Sequence, residues 1–368
     1  MSNEYLIPIF KPSLPKFEQV RLYIERIDET QVYTNRGPLV KELEERYANY
    51  FNVASENVVA MCNATLALEG AVTVSAPKKW IVPDFTFPAT AHSVINSGKL
   101  LYLSDIDDVW QLKIEIQNLD KNAFGLVPVM PFGAKIEVNK YAEWESVVID
   151  AAASLGNGPI DLSNLPKNWF IIFSLHATKV LGAGEGALVV CGAPEGAEAL
   201  KKWSNFGFDL SRISRSHGTN AKMPEIIAAY ALASLDSYAL EKQDWLSVQT
   251  QINLAMSGSF FENITNSYSG FNPYWIIDAK NENFCLQVQN NLSKAGIETR
   301  KWWPQLMSDI FEPHSNLLIE THNSRRISSS ILGLPKFRTM KKSDIDKVVS
   351  ILFEFKNLDY FSNNVQRF

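Results

Sequence analysis

Short apolar runs alternate with helical patterns along most of this 368-residue chain, and this alternation is what most restricts its fold. Strand and helix in regular alternation favour parallel strand pairing, with helices covering both faces of one sheet. The sequence therefore predicts an α/β protein with a mostly parallel, seven-stranded sheet flanked by helices. The predicted strands cover residues 57–61, 79–82, 100–103, 125–129, 147–150, 169–173 and 187–191.

The pattern changes in the last third of the chain. A helix is predicted over 224–242, because Pro224 suits a first turn and the apolar residues that follow have helical spacing. We therefore predict a large domain over residues 1–240, including an N-terminal segment, and a smaller α+β domain over 241–368. The further elements predicted are a helix over 39–51, strands over 270–277 and 328–333, and helices over 283–295 and 342–355.

Composition argues against several classes of partner. The net charge is −5 and lysine and arginine are dispersed, so no extended face is predicted to attract nucleic acid. No apolar segment is long enough to span a bilayer, and the five histidines lack the close pairs typical of a metal site. Three distant cysteines, Cys62, Cys191 and Cys285, fit reduced thiols in a cytoplasmic protein.

Lys179 is the first candidate for chemistry. It ends the run Phe173-Ser174-Leu175-His176-Ala177-Thr178-Lys179, between a predicted strand and a glycine-rich turn. A lysine on such a turn loses water on most sides, which favours the free amine that Schiff-base chemistry needs. A solvated surface lysine is the alternative interpretation.

Asp150 is the second candidate for chemistry. It ends a predicted buried strand, where open α/β sheets place their ligand crevice. A carboxylate and an amine at one crevice fit pyridoxal phosphate, whose aldehyde needs an amine and whose ring nitrogen needs a carboxylate to stay protonated. A helix cap or turn residue is the alternative for Asp150.

Three neighbouring segments complete a cofactor site. Thr65 opens an apolar helix after a predicted strand, so it is expected to cap that helix and bind phosphate, although a plain N-cap is an alternative. Ser174 starts the turn that ends at Lys179, so its hydroxyl can reach the same phosphate. An aromatic ring from 85–87 can stack on the pyridine ring, or it can be a core phenylalanine.

The glycine-rich run 182–187 also matches the dinucleotide-binding fingerprint loosely. That fingerprint must open a helix, whereas these glycines lead into the apolar run Ala187-Leu188-Val189-Val190, which is typical of a strand. We therefore predict a turn beside Lys179 rather than a dinucleotide site.

With these residues in place, nearly the whole chain resembles the DegT/DnrJ/StrS family of nucleotide-sugar aminotransferases, which are fold-type I pyridoxal-phosphate enzymes. The motifs that carry the resemblance are Gly37-Pro38, Asn63-Ala64-Thr65, Phe85-Thr86-Phe87, Asp150-Ala151-Ala152, Ser174 to Lys179 with its glycine turn, Gly218-Thr219-Asn220 and Met223-Pro224-Glu225-Ile226.

The resemblance implies a role for each of these positions. Lys179 is then the Schiff-base lysine and proton shuttle, and Asp150 pairs with the pyridine nitrogen. Phe87 is expected to stack on the ring. The phosphate contacts implied are Ala64, Thr65 and Ser174, with Asn220 reaching across the interface of a homodimer with two shared active sites.

The implied reaction is a ping-pong transfer of an amino group from L-glutamate to a nucleotide-linked keto sugar. The pattern is most similar to enzymes that make dTDP-4-amino-4,6-dideoxy-D-glucose from dTDP-4-dehydro-6-deoxy-D-glucose for bacterial surface polysaccharide such as O-antigen. Arg300 is expected to meet the diphosphate, and Trp302 and Trp303 the sugar or base. A surface loop with packed tryptophans is the alternative for this segment.

One position departs from the family pattern. Members commonly carry Gln or His three residues after the aspartate, beside the phenolic oxygen of the cofactor, and this chain has Ala153. Because Lys179 and Asp150 are both present, we favour an active transaminase over a sugar dehydratase that lacks the lysine. Three further activities stay open: a transaminase that aminates carbon 3, an aminotransferase specific for amino acids, and a cofactor-binding regulator without catalysis.

Overall fold

A computed structural model describes residues 5–114, 119–135, 137–157, 160–209, 212–259, 261, 272–312 and 315–355. Its strands are β1 (Val58–Met61), β2 (Lys79–Pro83), β3 (Leu100–Ser104), β4 (Phe124–Leu126), β5 (Val147–Asp150), β6 (Trp169–Ser174), β7 (Ala187–Cys191), β8 (Trp275–Asp278), β9 (Ser315–Leu317) and β10 (Ile331–Leu334). Its α-helices are α1 (Phe17–Thr30), α2 (Pro38–Phe51), α3 (Ala64–Val74), α4 (Pro88–Asn96), α5 (Pro194–Trp203), α6 (Glu225–Ala255), α7 (Glu282–Lys294), α8 (Met307–Phe311), α9 (His322–Ser330) and α10 (Lys342–Glu354).

The main sheet has the strand order β1-β7-β6-β5-β4-β2-β3-β9 over the described residues. β7 is antiparallel to both β1 and β6, and the other neighbouring pairs are parallel. The predicted fold class, a mostly parallel sheet flanked by helices, is confirmed. All seven predicted strands are present, and β9 adds an edge strand that was not predicted because Ser315-Asn316-Leu317 has no apolar run.

Side chains of the central strands alternate between two buried layers. Val147 and Ile149 of β5 face a core with α2 and the first half of α6, whereas Val148 faces a core with α3, α4 and α5. Every residue of β5 and β6 is buried. Burial on both faces explains why these strands are continuous apolar runs rather than alternating ones.

A separate core lies under the C-terminal part of the chain. β8 and β10 form an antiparallel pair, and α7 and α10 pack with them. The predicted helices over 283–295 and 342–355 are confirmed within one residue at their ends.

The strand predicted over 328–333 was wrong in its first half. Residues up to Ser330 belong to α9, in which the hydroxyl groups of Ser328 and Ser329 donate to the carbonyls of Arg325 and Arg326. These hydrogen bonds satisfy the short polar side chains inside a helix. The first residues of the strand predicted over 270–277 lie outside the described residues, and β8 begins at Trp275.

The long helix α6 serves both cores. Its first half places Leu232 in the sheet core, and its second half places Ile252 in the C-terminal core. The helix therefore continues well past residue 242, where the prediction ended it. We keep the division into residues 1–240 and 241–368 as a proposal, with its boundary inside α6.

The N-terminal segment also packs on the C-terminal core, since the Ile7 amide donates to the Gly296 carbonyl and the Ile7 carbonyl accepts from the Glu298 amide. Within the described ranges, no helix combines the length and apolar character needed to cross a membrane.

Lys336 gives a test of this C-terminal packing. The side chain is buried, its amine donates to the Gln249 side chain, and burial lowers its pKa to about 7. Because the unfolded chain then holds the proton more tightly than the folded one, the free energy of unfolding should rise as the pH increases from about 7 towards the ordinary lysine value of 10.5.

Lys336→Met is expected to raise the free energy of unfolding at pH 7 by roughly 2 to 4 kcal/mol and to flatten its rise at alkaline pH. Chemical denaturation at pH 7 and at pH close to 10 measures both effects. The exposed Lys341→Met is the control and should change neither. A pH dependence in Lys336→Met equal to that of the unmodified protein would contradict the lowered pKa of Lys336.

Candidate active site

A cavity of about 420 Å³ opens at the carboxyl ends of β5 and β6, next to the first turns of α3 and α4. This is the edge of the sheet where α/β proteins place ligands. The predicted site residues that line it are Ala64, Thr65, Phe87, Asp150, Ser174, Lys179, Arg300, Trp302 and Trp303.

Asp150 lies on the floor of this cavity and is buried. Its carboxylate accepts a hydrogen bond from the Thr90 hydroxyl at 2.8 Å and one from the Ala152 amide at 3.1 Å. Burial raises the pKa of Asp150, and these two donors together with the charge of Lys179 act against that shift. A cationic group in the cavity would stabilise the ionised carboxylate.

Lys179 follows β6 on a turn that the backbone holds closed. Its amide donates to the His176 carbonyl at 2.8 Å, and the Ala177 amide donates to the Gly184 carbonyl at 2.9 Å. The Lys179 Nζ donates to the Tyr274 hydroxyl at 2.9 Å. The side chain is half-buried, so the sequence alternative of a fully solvated surface lysine does not apply.

The glycine run beside Lys179 shapes this turn. Gly184 and Gly186 have φ values of 98° and 141°, which L side chains rarely adopt. The chain then enters β7 rather than a helix. The predicted turn is confirmed. The dinucleotide-binding alternative does not apply, because its fingerprint must open a helix and this run leads into a strand.

The first turn of α3 lines the cavity, and the Ala64 and Thr65 amides have no hydrogen-bond acceptor among the described residues. Asn63 is the N-cap, and its side chain accepts from the Leu66 amide at 2.8 Å. The prediction that Thr65 caps this helix was therefore wrong, because Asn63 precedes the helix in an extended conformation and already supplies the cap oxygen. Ala64 and Thr65 occupy the first helical positions, where amides lack an intrahelical acceptor and favour an anion.

Ser174 lines the same cavity as Ala64 and Thr65. It is the last residue of β6, it is buried, and its hydroxyl accepts from the His176 amide at 3.1 Å. The hydroxyl hydrogen remains available to a ligand oxygen, since that contact uses the oxygen only as an acceptor.

Phe85 and Phe87, which precede α4, have different surroundings. Phe85 is buried, whereas Phe87 is 55% exposed and lines the cavity. Phe87 stands immediately before Pro88, the first residue of α4, so its extended backbone presents the ring at the mouth of the cavity. The alternative of a core phenylalanine therefore applies to Phe85 and not to Phe87.

Asn220 does not line the cavity of its own chain. It is exposed, and its backbone pairs with that of Asn205 in an isolated bridge. A phosphate contact by Asn220 would therefore need a second subunit, and it stays a prediction.

The C-terminal part of the chain contributes one wall of the cavity, which includes Arg300, Trp302 and Trp303. The Arg300 guanidinium lies 5.2 Å from the Trp302 ring centre and 5.6 Å from that of Phe10. Trp303 stacks on Phe132 at 5.1 Å with an interplanar angle of 14°. Both tryptophans are half-buried, so packing and cavity lining coexist and the sequence alternative of packed tryptophans holds in part.

Sequence reasoning missed two polar partners of the central residues. Thr90 contacts Asp150, and Tyr274 contacts Lys179 from a segment distant in sequence. Thr90 lies three residues after Phe87, so a hydroxyl in the first turn of α4 was an available signal. Tyr274 had none, because only tertiary packing brings the start of β8 to the lysine.

Ala153 lines the same cavity and packs beside the aromatic wall. Its methyl group cannot donate a hydrogen bond, so the departure noted in the sequence leaves this part of the wall apolar.

Residues 17–353 match the DegT/DnrJ/EryC1/StrS aminotransferase family. A relative from Shigella dysenteriae named dTDP-4-amino-4,6-dideoxy-D-glucose transaminase is 27% identical, covering 95% of this chain and 99% of the relative. An Escherichia coli relative of the same name is 24% identical with 95% and 99% coverage. The crystal structure of DesI in the presence of its TDP-sugar product is 26% identical with a TM-score of 0.80, covering 96% of this chain and 93% of that one.

Proposed function

Since the chain belongs to the DegT/DnrJ/EryC1/StrS aminotransferase family and is a pyridoxal-phosphate-dependent transaminase, we propose that it moves the amino group of L-glutamate to dTDP-4-dehydro-6-deoxy-D-glucose. The product is dTDP-4-amino-4,6-dideoxy-D-glucose, for bacterial surface polysaccharide such as O-antigen. The observation that carries the sugar assignment is the nearly full-length similarity to the relative of that name.

The residues of the cavity fit pyridoxal phosphate. Asp150 is buried, so its ionised carboxylate would be stabilised by a cationic partner. A protonated ring nitrogen of the cofactor would be such a partner. Lys179 offers an amine in the same cavity, and Phe87 offers an exposed ring face. The phosphate would be held by the amides of Ala64 and Thr65 and by hydroxyl groups from Thr65 and Ser174.

When bound, the cofactor supplies an electron sink for the charge left when a proton leaves the α-carbon of the donor. Lys179 Nζ is proposed to take that proton and to return it, so the same amine serves both half-reactions. Asp150 keeps the ring nitrogen protonated through its charge. Half-burial of Lys179 in a cavity with aromatic walls limits the water that would compete for the proton.

We propose that the nucleotide sugar meets the wall opposite these groups. Arg300 is 45% exposed at its side chain and its ion pair with Glu298 is a long one of 3.6 Å, so it can turn towards a diphosphate. The flat faces of Trp302 and Trp303 suit the sugar or the base. This arrangement would carry the sugar carbonyl towards Lys179.

The assembly and compartment are also proposals. A homodimer would bring the exposed Asn220 of each subunit to the phosphate of the other site. The three cysteines are free thiols, which supports a reducing cytoplasm.

The sugar assignment is tested with the protein loaded with pyridoxamine phosphate. Separate incubations with dTDP-linked 6-deoxy sugars carrying the carbonyl at carbon 3 or at carbon 4 are followed by mass spectrometry and NMR of the product. We expect the amine at carbon 4, from the 4-keto sugar. Amination of the 3-keto sugar alone would replace the proposal with the carbon-3 alternative, and failure of both sugars would overturn it.

A further inference from the structure

Tyr274 is a polar residue in direct contact with the reacting lysine. Its hydroxyl accepts the hydrogen bond from Lys179 Nζ at 2.9 Å, and its ring centre lies 5.6 Å from the same nitrogen. Asp150 attracts the amine electrostatically, but the hydrogen bonds of its carboxylate go to Thr90 and Ala152. The contact that places Nζ is therefore the one with Tyr274.

The Tyr274 ring is fixed by its surroundings and is buried. It makes edge contacts with Phe10 at 5.9 Å, with Phe132 at 5.6 Å and with Trp302 at 5.8 Å. These contacts come from three separate parts of the chain. The hydroxyl is consequently presented to Lys179 from a rigid aromatic wall.

The backbone around this ring is fixed as well. Asn272 is buried, and its side chain accepts from the Tyr274 amide at 2.7 Å and donates to the Phe132 carbonyl. One amide side chain thus ties the segment that carries Tyr274 to the loop that forms the cavity wall.

We infer that Tyr274 is a positioning residue that docks the free amine of Lys179 during the part of the cycle in which the amino group resides on the cofactor. The inference rests on the proposed use of Lys179 as the proton carrier. A free lysine side chain samples many rotamers, so an undocked amine would spend much of its time away from the reacting carbon.

The geometry suits an amine that must take up a proton and give it back. Nζ donates a hydrogen to the Tyr274 oxygen, so its lone pair stays available for a proton from the substrate. Once protonated, the ammonium keeps the same hydrogen bond. Both protonation states therefore occupy one location.

Tyr274→Phe removes the hydroxyl and keeps the ring. We expect the rate of the glutamate half-reaction to fall about tenfold, with the glutamate dependence and the affinity for pyridoxal phosphate almost unchanged. The isotope effect with glutamate deuterated at the α-carbon should increase, because proton transfer becomes more rate-limiting. Tyr141→Phe is the matched control, since the Tyr141 hydroxyl is buried in the sheet core and has no hydrogen-bond partner among the described residues.

A crystal structure of the protein loaded with pyridoxamine phosphate provides a readout that needs no turnover. Nζ of Lys179 is expected within hydrogen-bond distance of the Tyr274 hydroxyl. An amine directed elsewhere, or a Tyr274→Phe variant with unchanged rate and isotope effect, would overturn the inference. Neither measurement uses a sugar, so rejection of every keto sugar would overturn the sugar assignment and leave this inference standing.

Discussion

Lys179→Ala is expected to reduce transamination by about ten-thousandfold and to prevent covalent attachment of the cofactor. In the proposed mechanism, the variant loses both the amine that binds the aldehyde and the base that moves the proton. Asp150 on the cavity floor cannot replace that base, because its carboxylate is held by Thr90 and Ala152. Borohydride reduction of the loaded protein followed by peptide mass spectrometry should place the label on Lys179 and find none in the variant.

Lys336 is the lysine that tests the specificity of this labelling. Burial lowers the pKa of Lys336 to about 7, and Lys336 and Lys179 both line a small cavity. That cavity measures about 20 Å³, which has room for a water molecule but not for a cofactor. Label on Lys336 in the unmodified protein would contradict the assignment of Lys179.

Asp150→Asn is expected to lower turnover by about a thousandfold while leaving the covalent attachment at Lys179 intact. An amide cannot hold a proton on the ring nitrogen by charge. Asp84→Asn is a matched control. Asp84 is buried directly after β2 and burial raises its pKa too, but its carboxylate accepts from Ser308 and does not line the cavity. Steady-state rates of the control should stay within a few-fold of the unmodified protein.

Without cofactor, the same Asp150→Asn variant should be more stable than the unmodified protein, although it is less active. Because burial raises the pKa of Asp150, the folded chain binds that proton more tightly than the unfolded chain. The free energy of unfolding therefore falls as the pH rises through the raised pKa, and the cost is complete above it. We expect Asp150→Asn to raise the melting temperature of cofactor-free protein and to reduce the increase that pyridoxal phosphate produces. An unchanged response to the cofactor would contradict the pairing of Asp150 with the ring nitrogen.

The sheet could be predicted from the sequence because its strands are buried on both faces. A short continuous apolar run such as β6 is typical of a strand covered by helices on both sides, and the turn at Lys179 followed from glycines that lead into β7. β9 could not be predicted in this way. It is a short edge strand of Ser315, Asn316 and Leu317, and its pairing with β3 arises from the tertiary structure.

Site residues could be predicted from the sequence where they lie at the ends of strands. Asp150 and Ser174 follow this rule, and both line the cavity. The cap of α3 depended on a choice between the nearby Asn63 and Thr65 that only the backbone conformation decides. Tyr274 comes from a segment that meets the lysine through packing, so no local pattern indicates it. Asn220 depends on a second subunit and stays a prediction.

The most direct test of a transamination site at Lys179 is the absorption spectrum of the loaded protein after addition of L-glutamate without any sugar. The band of the lysine-bound cofactor should disappear, with about one 2-oxoglutarate formed per active site. Subsequent addition of dTDP-4-dehydro-6-deoxy-D-glucose should restore the band. A spectrum that glutamate leaves unchanged would contradict transamination from glutamate.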